Sequence, residues 1–267
     1  MKRMVLALCA MMIIPVLAFA GITKKVVEKH PDISGGEQVL PGTPKTVIYS
    51  DTSGKEVAKE LYDDRGNLLE TIGAIPDGTV TEYYDNGSRL AVYNYKNGKL
   101  EGTSKGYFES GALRGEWNYK NSLLNGIVQE YYENGKVRHK IEYKNNLRDG
   151  PCELFLEDGK PAVSWEYKDG MREGLNKVYY PSGALHFVLP YENNEREGIT
   201  KEYYESGKLK AEYTYKNGVQ EGPTTNYYEN GTVQSTATYS KGGKIDIKEY
   251  DPTGKLITEQ KKEPGEK

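Results

Sequence analysis

Three histidines, two cysteines, 39 carboxylates and 36 basic side chains are what this 267-residue chain offers for chemistry. Nucleophilic or metal chemistry needs such groups to converge on one point. His30 lies among turn formers. His139 comes four residues after Gly135 and His186 three after Gly183, which predicts opposite faces for the two on an extended chain. Cys9 sits in an apolar N-terminal run. Cys152 follows Pro151 at a position held elsewhere by Val80, Ser104 or Thr200, the mark of a small buried residue rather than a nucleophile. Carboxylates recur at regular intervals, as on a solvated face, and no pair stands out for glycoside hydrolysis. The expectation is therefore a non-enzyme, with no catalytic residue, no metal and no cofactor.

Binding chemistry is better supplied. Arg148, Arg172 and Arg196 are 24 residues apart, and aromatic columns share their period: Tyr119, Tyr143, Tyr167 and Tyr191 in one, Trp117 and Trp165 in another. A guanidinium stacks on an aromatic face, and rings repeated at regular spacing can hold an extended protein surface or a linear polymer. The candidate partner-binding set is Trp117, Tyr119, Tyr143, Trp165, Tyr167 and Tyr191 with Arg148, Arg172 and Arg196. Three cations in a mildly acidic chain favour an acidic partner surface. Charge is otherwise mixed and without basic blocks, so nucleic acid is not expected.

The elements that position these residues follow from two glycine columns. One runs Gly78, Gly102, Gly126, Gly150, Gly174, Gly198, Gly222; the other runs Gly87, Gly111, Gly135, Gly159, Gly183, Gly207, Gly231. Both step by 24 without a slip, which predicts seven stacked repeats over residues 78–246. Each unit holds two runs of β-formers and two turn signals, a β-hairpin per repeat. No segment has helical apolar spacing. The predicted fold is all-β: an elongated, twisted, largely single-layer antiparallel sheet of 24-residue hairpins.

Asn86-Gly87 and Asn97-Gly98 both read as two-residue type I′ turns. They would place Tyr84 opposite Arg89, Tyr95 opposite Leu100 and Tyr93 opposite Gly102. Face one then carries the Tyr84, Tyr93 and Tyr95 columns together with the three arginines, opposite Tyr143, Tyr167 and Tyr191. Face two carries the Tyr83 column among Lys, Glu and Thr. Pro181 and Pro190 mark the fifth unit for a kink.

Composition agrees with a thin sheet. Mean hydropathy is -0.75, and 23 Tyr stand against four Phe, so phenol rings replace aliphatic packing while their hydroxyls find partners or water. The flanks differ from the repeats. Residues 1–20, Met1-Lys2-Arg3 then an apolar run ending Ala18-Phe19-Ala20, read as a signal peptide cleaved before Gly21, or as an anchor if retained. This implies an exported, periplasmic or envelope destination, and membrane contact only through an uncleaved segment. Residues 21–45 read as a flexible spacer, 46–77 as capping half-repeats, 247–257 as a C-terminal capping half-repeat and 258–267 as a disordered charged tail.

The pattern Gly-x4-Tyr-Tyr-x-x-Gly-x-Leu followed by Tyr-x-Asn-Gly-x-x-x-Gly resembles the MORN-repeat variant family, many of whose bacterial members are labelled antitoxin-like. The resemblance implies hairpin repeats, protein-interaction or membrane-associated roles and no catalysis. The leading expectation is an exported protein-binding scaffold working through face one. The alternatives are a carbohydrate or cell-wall-binding module, since Tyr-Tyr-x-x-Gly-x-Leu is also similar to choline-binding wall repeats, and an antitoxin or immunity-like protein that neutralises a toxin by binding it.

Overall fold

The computed structural model describes residues 22–28, 45–63 and 65–261. Residues 1–20, the expected signal segment, and the end of the expected tail after Lys261 lie outside the described residues. Among the described residues there are 23 strands in one sheet and no helix. The sheet is open and elongated, and the chain runs up it hairpin by hairpin.

The first strands show how the stack begins. Strand β1 is Ile22–Glu28, β2 is Lys45–Ser50, β3 is Glu56–Tyr62, β4 is Leu68–Gly73, β5 is Gly78–Tyr83 and β6 is Arg89–Lys96. β2, β3 and β4 form an antiparallel meander. β1 joins that meander to the repeats, pairing antiparallel with β2 from Thr23↔Ser50 to Glu28↔Lys45 and parallel with β5 from Ile22↔Val80 to Lys24↔Glu82. The expectation of a flexible spacer over 21–45 is thus corrected for residues 22–28, and residues 29–44 lie outside the described residues. The first repeat presents an unpaired strand edge, and β1 satisfies its backbone groups. Val47, Tyr49, Ala58, Ile75 and Val80 close over the junction as the best-buried apolar cluster, with Tyr93 and Tyr95 packed against it.

From β5 onward the repeat is regular. The first turn is not the expected two-residue loop. Gly87 N donates to Tyr84 O and Tyr84 N donates to Ser88 O, so the loop is Asp85-Asn86-Gly87, with Gly87 at φ 83°. This is the three-residue hairpin with a left-handed glycine. Asn86 Oδ1 accepts from Ser88 N at 2.8 Å, which holds the asparagine outside the left-handed region and leaves that conformation to the glycine. Tyr83 consequently faces Arg89, but a bulge restores the expected register from Glu82↔Ala91 to Gly78↔Tyr95.

The second turn is type I′ as expected, with Asn97 at φ 52°, Gly98 at φ 70° and Tyr95 opposite Leu100. A second bulge follows at Glu101, whose N–H donates to Asn94 O. In the third repeat it places Ile141, the equivalent of Tyr93, opposite Cys152 rather than Gly150. The displacement is two residues, an even number, so the faces are unchanged. Every glycine of the first column sits at positive φ, from 69° at Gly174 to 126° at Gly150, which a Cβ would strain.

Pro190 pairs with Leu175 without a register shift, and its carbonyl accepts from Glu197 N where Asn94 accepts from Glu101. The proline falls at the bulge that the other repeats share and breaks no ladder. At the far end the final strand, Leu256–Lys261, pairs Thr258 with Glu249 and Glu259 with Lys248. The expectation of disorder from 258 is corrected for those residues: the last hairpin offers an edge on which the chain is extended.

Candidate functional site

Face one is a ladder of buried small residues walled by rings. Its floor is Val80, Ser104, Val128, Cys152, Asn176, Thr200 and Thr224, none more than 4% exposed. Cys152 is a free thiol, and burial pushes its pKa up, away from nucleophilic use. Above this floor stand the half-buried rings and arginines.

Arg148 pairs across the ladder with Tyr143 and leans the other way, onto the next repeat: Nη1 donates to Tyr167 Oη at 3.0 Å and the guanidinium lies 5.1 Å from the Tyr167 ring centre. Hydrogen bonds to the Tyr143 and Tyr167 phenols hold its proton more firmly than usual. Arg172 repeats the arrangement with Tyr191, at 3.3 Å to the hydroxyl and 5.0 Å to the ring, and lies 5.7 Å from the Trp165 ring. Arg196 stacks 3.9 Å over Tyr215. The three arginines therefore form one line between the rings of face one. Among the described residues none of them has a carboxylate within ion-pair distance.

Trp117 and Tyr119 stand one repeat earlier and outside this line. Tyr119 faces Leu124 where later units have arginine. The Trp117 indole lies flat over Gly106 and Gly115, whose added Cβ atoms would come within 2.9 and 2.7 Å of it. Its cation is Arg114, 5.9 Å away, from the bulged position that follows the first turn.

That bulged column was not legible as a site contributor. In a flat strand, adjacent residues point to opposite faces; at the bulge they do not. His139 Nε2 lies 3.4 Å from Glu130 and His186 Nε2 lies 3.6 Å from Glu202, and these two glutamates occupy the same column. The expectation that the histidines take opposite faces is corrected for this reason. Lys210, from the same bulged position, donates to Glu202 at 2.7 Å, and Tyr213 donates to it at 2.8 Å. Burial pushes the Glu202 carboxyl up, but Lys210, Tyr213 and His186 outweigh it and hold the pKa below the usual value. Glu82 takes the same place in the first repeat, accepting from Tyr93 at 3.0 Å. Burial and the Glu82 charge raise the Tyr93 phenol. Among the described residues no group of three or more His, Cys, Asp and Glu is placed to hold a metal.

Face two carries the Tyr83 column and charge ladders, with Lys105 to Glu116 at 2.9 Å and Lys201 to Glu212 at 3.5 Å. Tyr131 and Tyr227 each place a hydroxyl within 3.3 Å of these glutamates. The Tyr131 and Tyr227 hydroxyls are held within the sheet, while Tyr83 at the start of the column is 48% exposed.

Sequence comparison places a MORN repeat variant model on residues 76–97, 100–121, 124–145, 172–193, 196–217 and 220–241. The unmatched interval holds the unit with Cys152 and Pro161, whose strands Leu147–Phe155 and Pro161–Lys168 pair in the same way as the rest. No curated protein sequence matches the chain. Solved structures with similarity include a protein of unknown function from Bacteroides caccae, at 12% identity and TM-score 0.18, covering 91% of this chain and 81% of that one. The pore of the Photorhabdus luminescens Tc holotoxin matches at 11% identity and TM-score 0.16 over 85% of this chain and 15% of that one. A TcdB2–TccC3–Cdc42 complex matches at 11% identity and TM-score 0.13 over 82% and 17%.

Proposed function

Because the chain belongs to the MORN repeat variant family, whose repeats are generally protein- or membrane-binding modules, we propose that it is an exported, non-enzymatic scaffold that captures an acidic protein surface on face one. The supporting observation is the line of Arg148, Arg172 and Arg196, held over Tyr167, Tyr191 and Tyr215 with no carboxylate among the described residues within ion-pair distance. Phenol contacts fix each guanidinium but leave its charge, so an incoming carboxylate meets a pre-ordered donor rather than a mobile side chain. Successive arginines are separated by two strands, about 10 Å, a spacing that suits an extended acidic segment lying along the stack. Export rests on Ala18-Phe19-Ala20 and the apolar run before it.

The deciding experiment compares capture of envelope proteins with sedimentation on purified peptidoglycan, for the native chain and for Arg148→Gln/Arg172→Gln/Arg196→Gln. Protein capture that weakens at least tenfold in the triple variant, with a flatter salt dependence, supports the reading. Undiminished capture, or sedimentation on peptidoglycan alone, overturns it.

A further inference from the structure

The first residue of each second turn has an N–H that the hairpin itself does not use, and the stack supplies it with a carboxylate. Asn97 N donates to Asp77, Asn121 N to Glu101, Asp169 N to Asp149, Asn193 N to Glu173, Asn217 N to Glu197 and Lys241 N to Glu221, always across 20 residues. Successive left-handed residues turn their N–H groups into a small concavity that suits an anion, and a charged acceptor makes the stronger bond.

The third repeat departs from this pattern. Asn125 stands where the other units have aspartate or glutamate, and its Nδ2 donates to Asn145 Oδ1 at 3.2 Å. Asn145 N meets no acceptor among the described residues. The turn itself is unchanged: Asn145 has φ 50°, against 52° at Asn121 and 48° at Asn217. Only the acceptor differs, so the six other turns show what this one is shaped to take.

A cleft of ≈ 450 Å³ opens at this turn, lined among others by Lys120, Leu123, Asn125, Lys144 and Asn145. Both lysines are exposed, and Leu123 is 38% exposed. Two carboxylates also border the cleft, but each is engaged one unit on. Asp149 caps Asp169 and lies 3.6 Å from Lys144, and Glu142 leans over Gly150. Asp149, Glu173, Glu197 and Glu221 cap four successive turns about 10 Å apart, beyond the screening length at physiological salt. A carboxylate at Asn145 would have the neighbours that these caps tolerate in one another.

We infer that the turn at Asn145 binds the side-chain carboxylate of a glutamate from a partner protein. The carboxylate accepts from Asn145 N as Glu101 accepts from Asn121 N, its charge lies between Lys120 and Lys144, and its methylenes rest on Leu123. Glutamate is the side chain that caps four of the six other turns. The site uses none of the three arginines, so the inference does not depend on what face one binds.

The test is an amide NMR titration of the full chain with acetyl-Ala-Glu-Ala-amide, acetyl-Ala-Gln-Ala-amide and acetate over a millimolar range. The Asn145 amide is expected to shift saturably with the glutamate peptide, at least tenfold more tightly than with the glutamine peptide or acetate, while the capped Asn121 and Asn217 amides move less. Asn125→Glu supplies the acceptor from within the chain, and Asn125→Asp does so at unchanged side-chain size should the longer residue impair folding. Either variant is expected to shift the Asn145 amide downfield, to weaken the peptide response at least tenfold and to unfold at no lower temperature than the native chain. An Asn145 amide that responds no more than Asn121 and Asn217 overturns the inference. So does an equal response to acetate or to the glutamine peptide, or a glutamate response undiminished in both variants.

Discussion

Tyr132 shows what the phenol hydroxyls do. Its Oη donates to Phe155 O in the next repeat at 2.8 Å, and Tyr84, Tyr180, Tyr204 and Tyr228 make the same bond to Tyr107, Tyr203, Tyr227 and Tyr250. The ring buries area and the hydroxyl ties one unit to the next. Tyr132→Phe should lower stability by about 1 kcal/mol in urea unfolding. Phe108 holds the same place without the hydroxyl, so Phe108→Tyr is expected to be neutral or to add up to about 1 kcal/mol. A gain from the first change would remove the stapling role. Glu202 gives a pH test. Its folded pKa is depressed, so its stabilisation is present above the ordinary carboxylate range and is lost as pH falls through the lowered value. Glu202→Gln should therefore be less stable than the native chain at neutral pH, with the gap closing in acid. The raised phenols act at the other end. Burial and neighbouring charge raise Tyr49, Tyr62, Tyr93 and Tyr213 above 10.0, so their contribution is full below that pH and lost as pH rises through the folded values. An alkaline unfolding transition that coincides with phenolate absorbance is expected.

Among the elements, the second turn carries the register. Ser122, Asn146 and Asn194 stand where other units have glycine, at φ 65°, 66° and 69°. Each makes two bonds to one residue of the preceding unit. Ser122 N donates to Leu100 O while Ser122 Oγ accepts from Leu100 N at 3.0 Å, and Asn146 and Asn194 do the same to Leu124 and Arg172. The side-chain acceptor offsets the left-handed backbone. Asn194→Gly should be near neutral, because relief of the backbone accompanies loss of the bond. Asn194→Ala keeps the strain and loses the bond, and should cost about 1 to 2 kcal/mol. Equal thermal stability of the two variants would contradict this account.

For the molecule as a whole, the repeat is the unit of stability. Deleting residues 150–173 removes one period and joins Asp149 to Gly174, reproducing the local Glu173-Gly174 junction. The shortened protein should fold cooperatively, with a urea m-value reduced in proportion to the surface lost. Deleting 12 residues instead moves each first-turn glycine to the strand position held by Leu123, Leu147 or Met171, and should abolish folding. Removing residues 22–28 tests the N-terminal junction. Loss of β1 frees the edges of both β2 and β5, so the variant should unfold more easily and aggregate in light scattering.

The 24-residue period, the hairpin in each unit and the rings that share face one were legible in the sequence, because each depends on local turn chemistry and side-chain parity. The parity survived two misread details for a physical reason. The first loop takes one residue more than a type I′ turn and a bulge absorbs it, while the second bulge shifts the pairing by an even number. What the sequence could not disclose rests on bonds between distant segments. The place of β1 depends on an edge at Val80 that no local pattern of residues 22–28 announces. The shared face of His139 and His186 depends on a bulge, and the acceptor of each stapling tyrosine is a backbone carbonyl 22 or 23 residues away. Backbone groups are the same in every residue type, so composition and spacing carry no record of which one is used; only the stacked sheet assigns the partner.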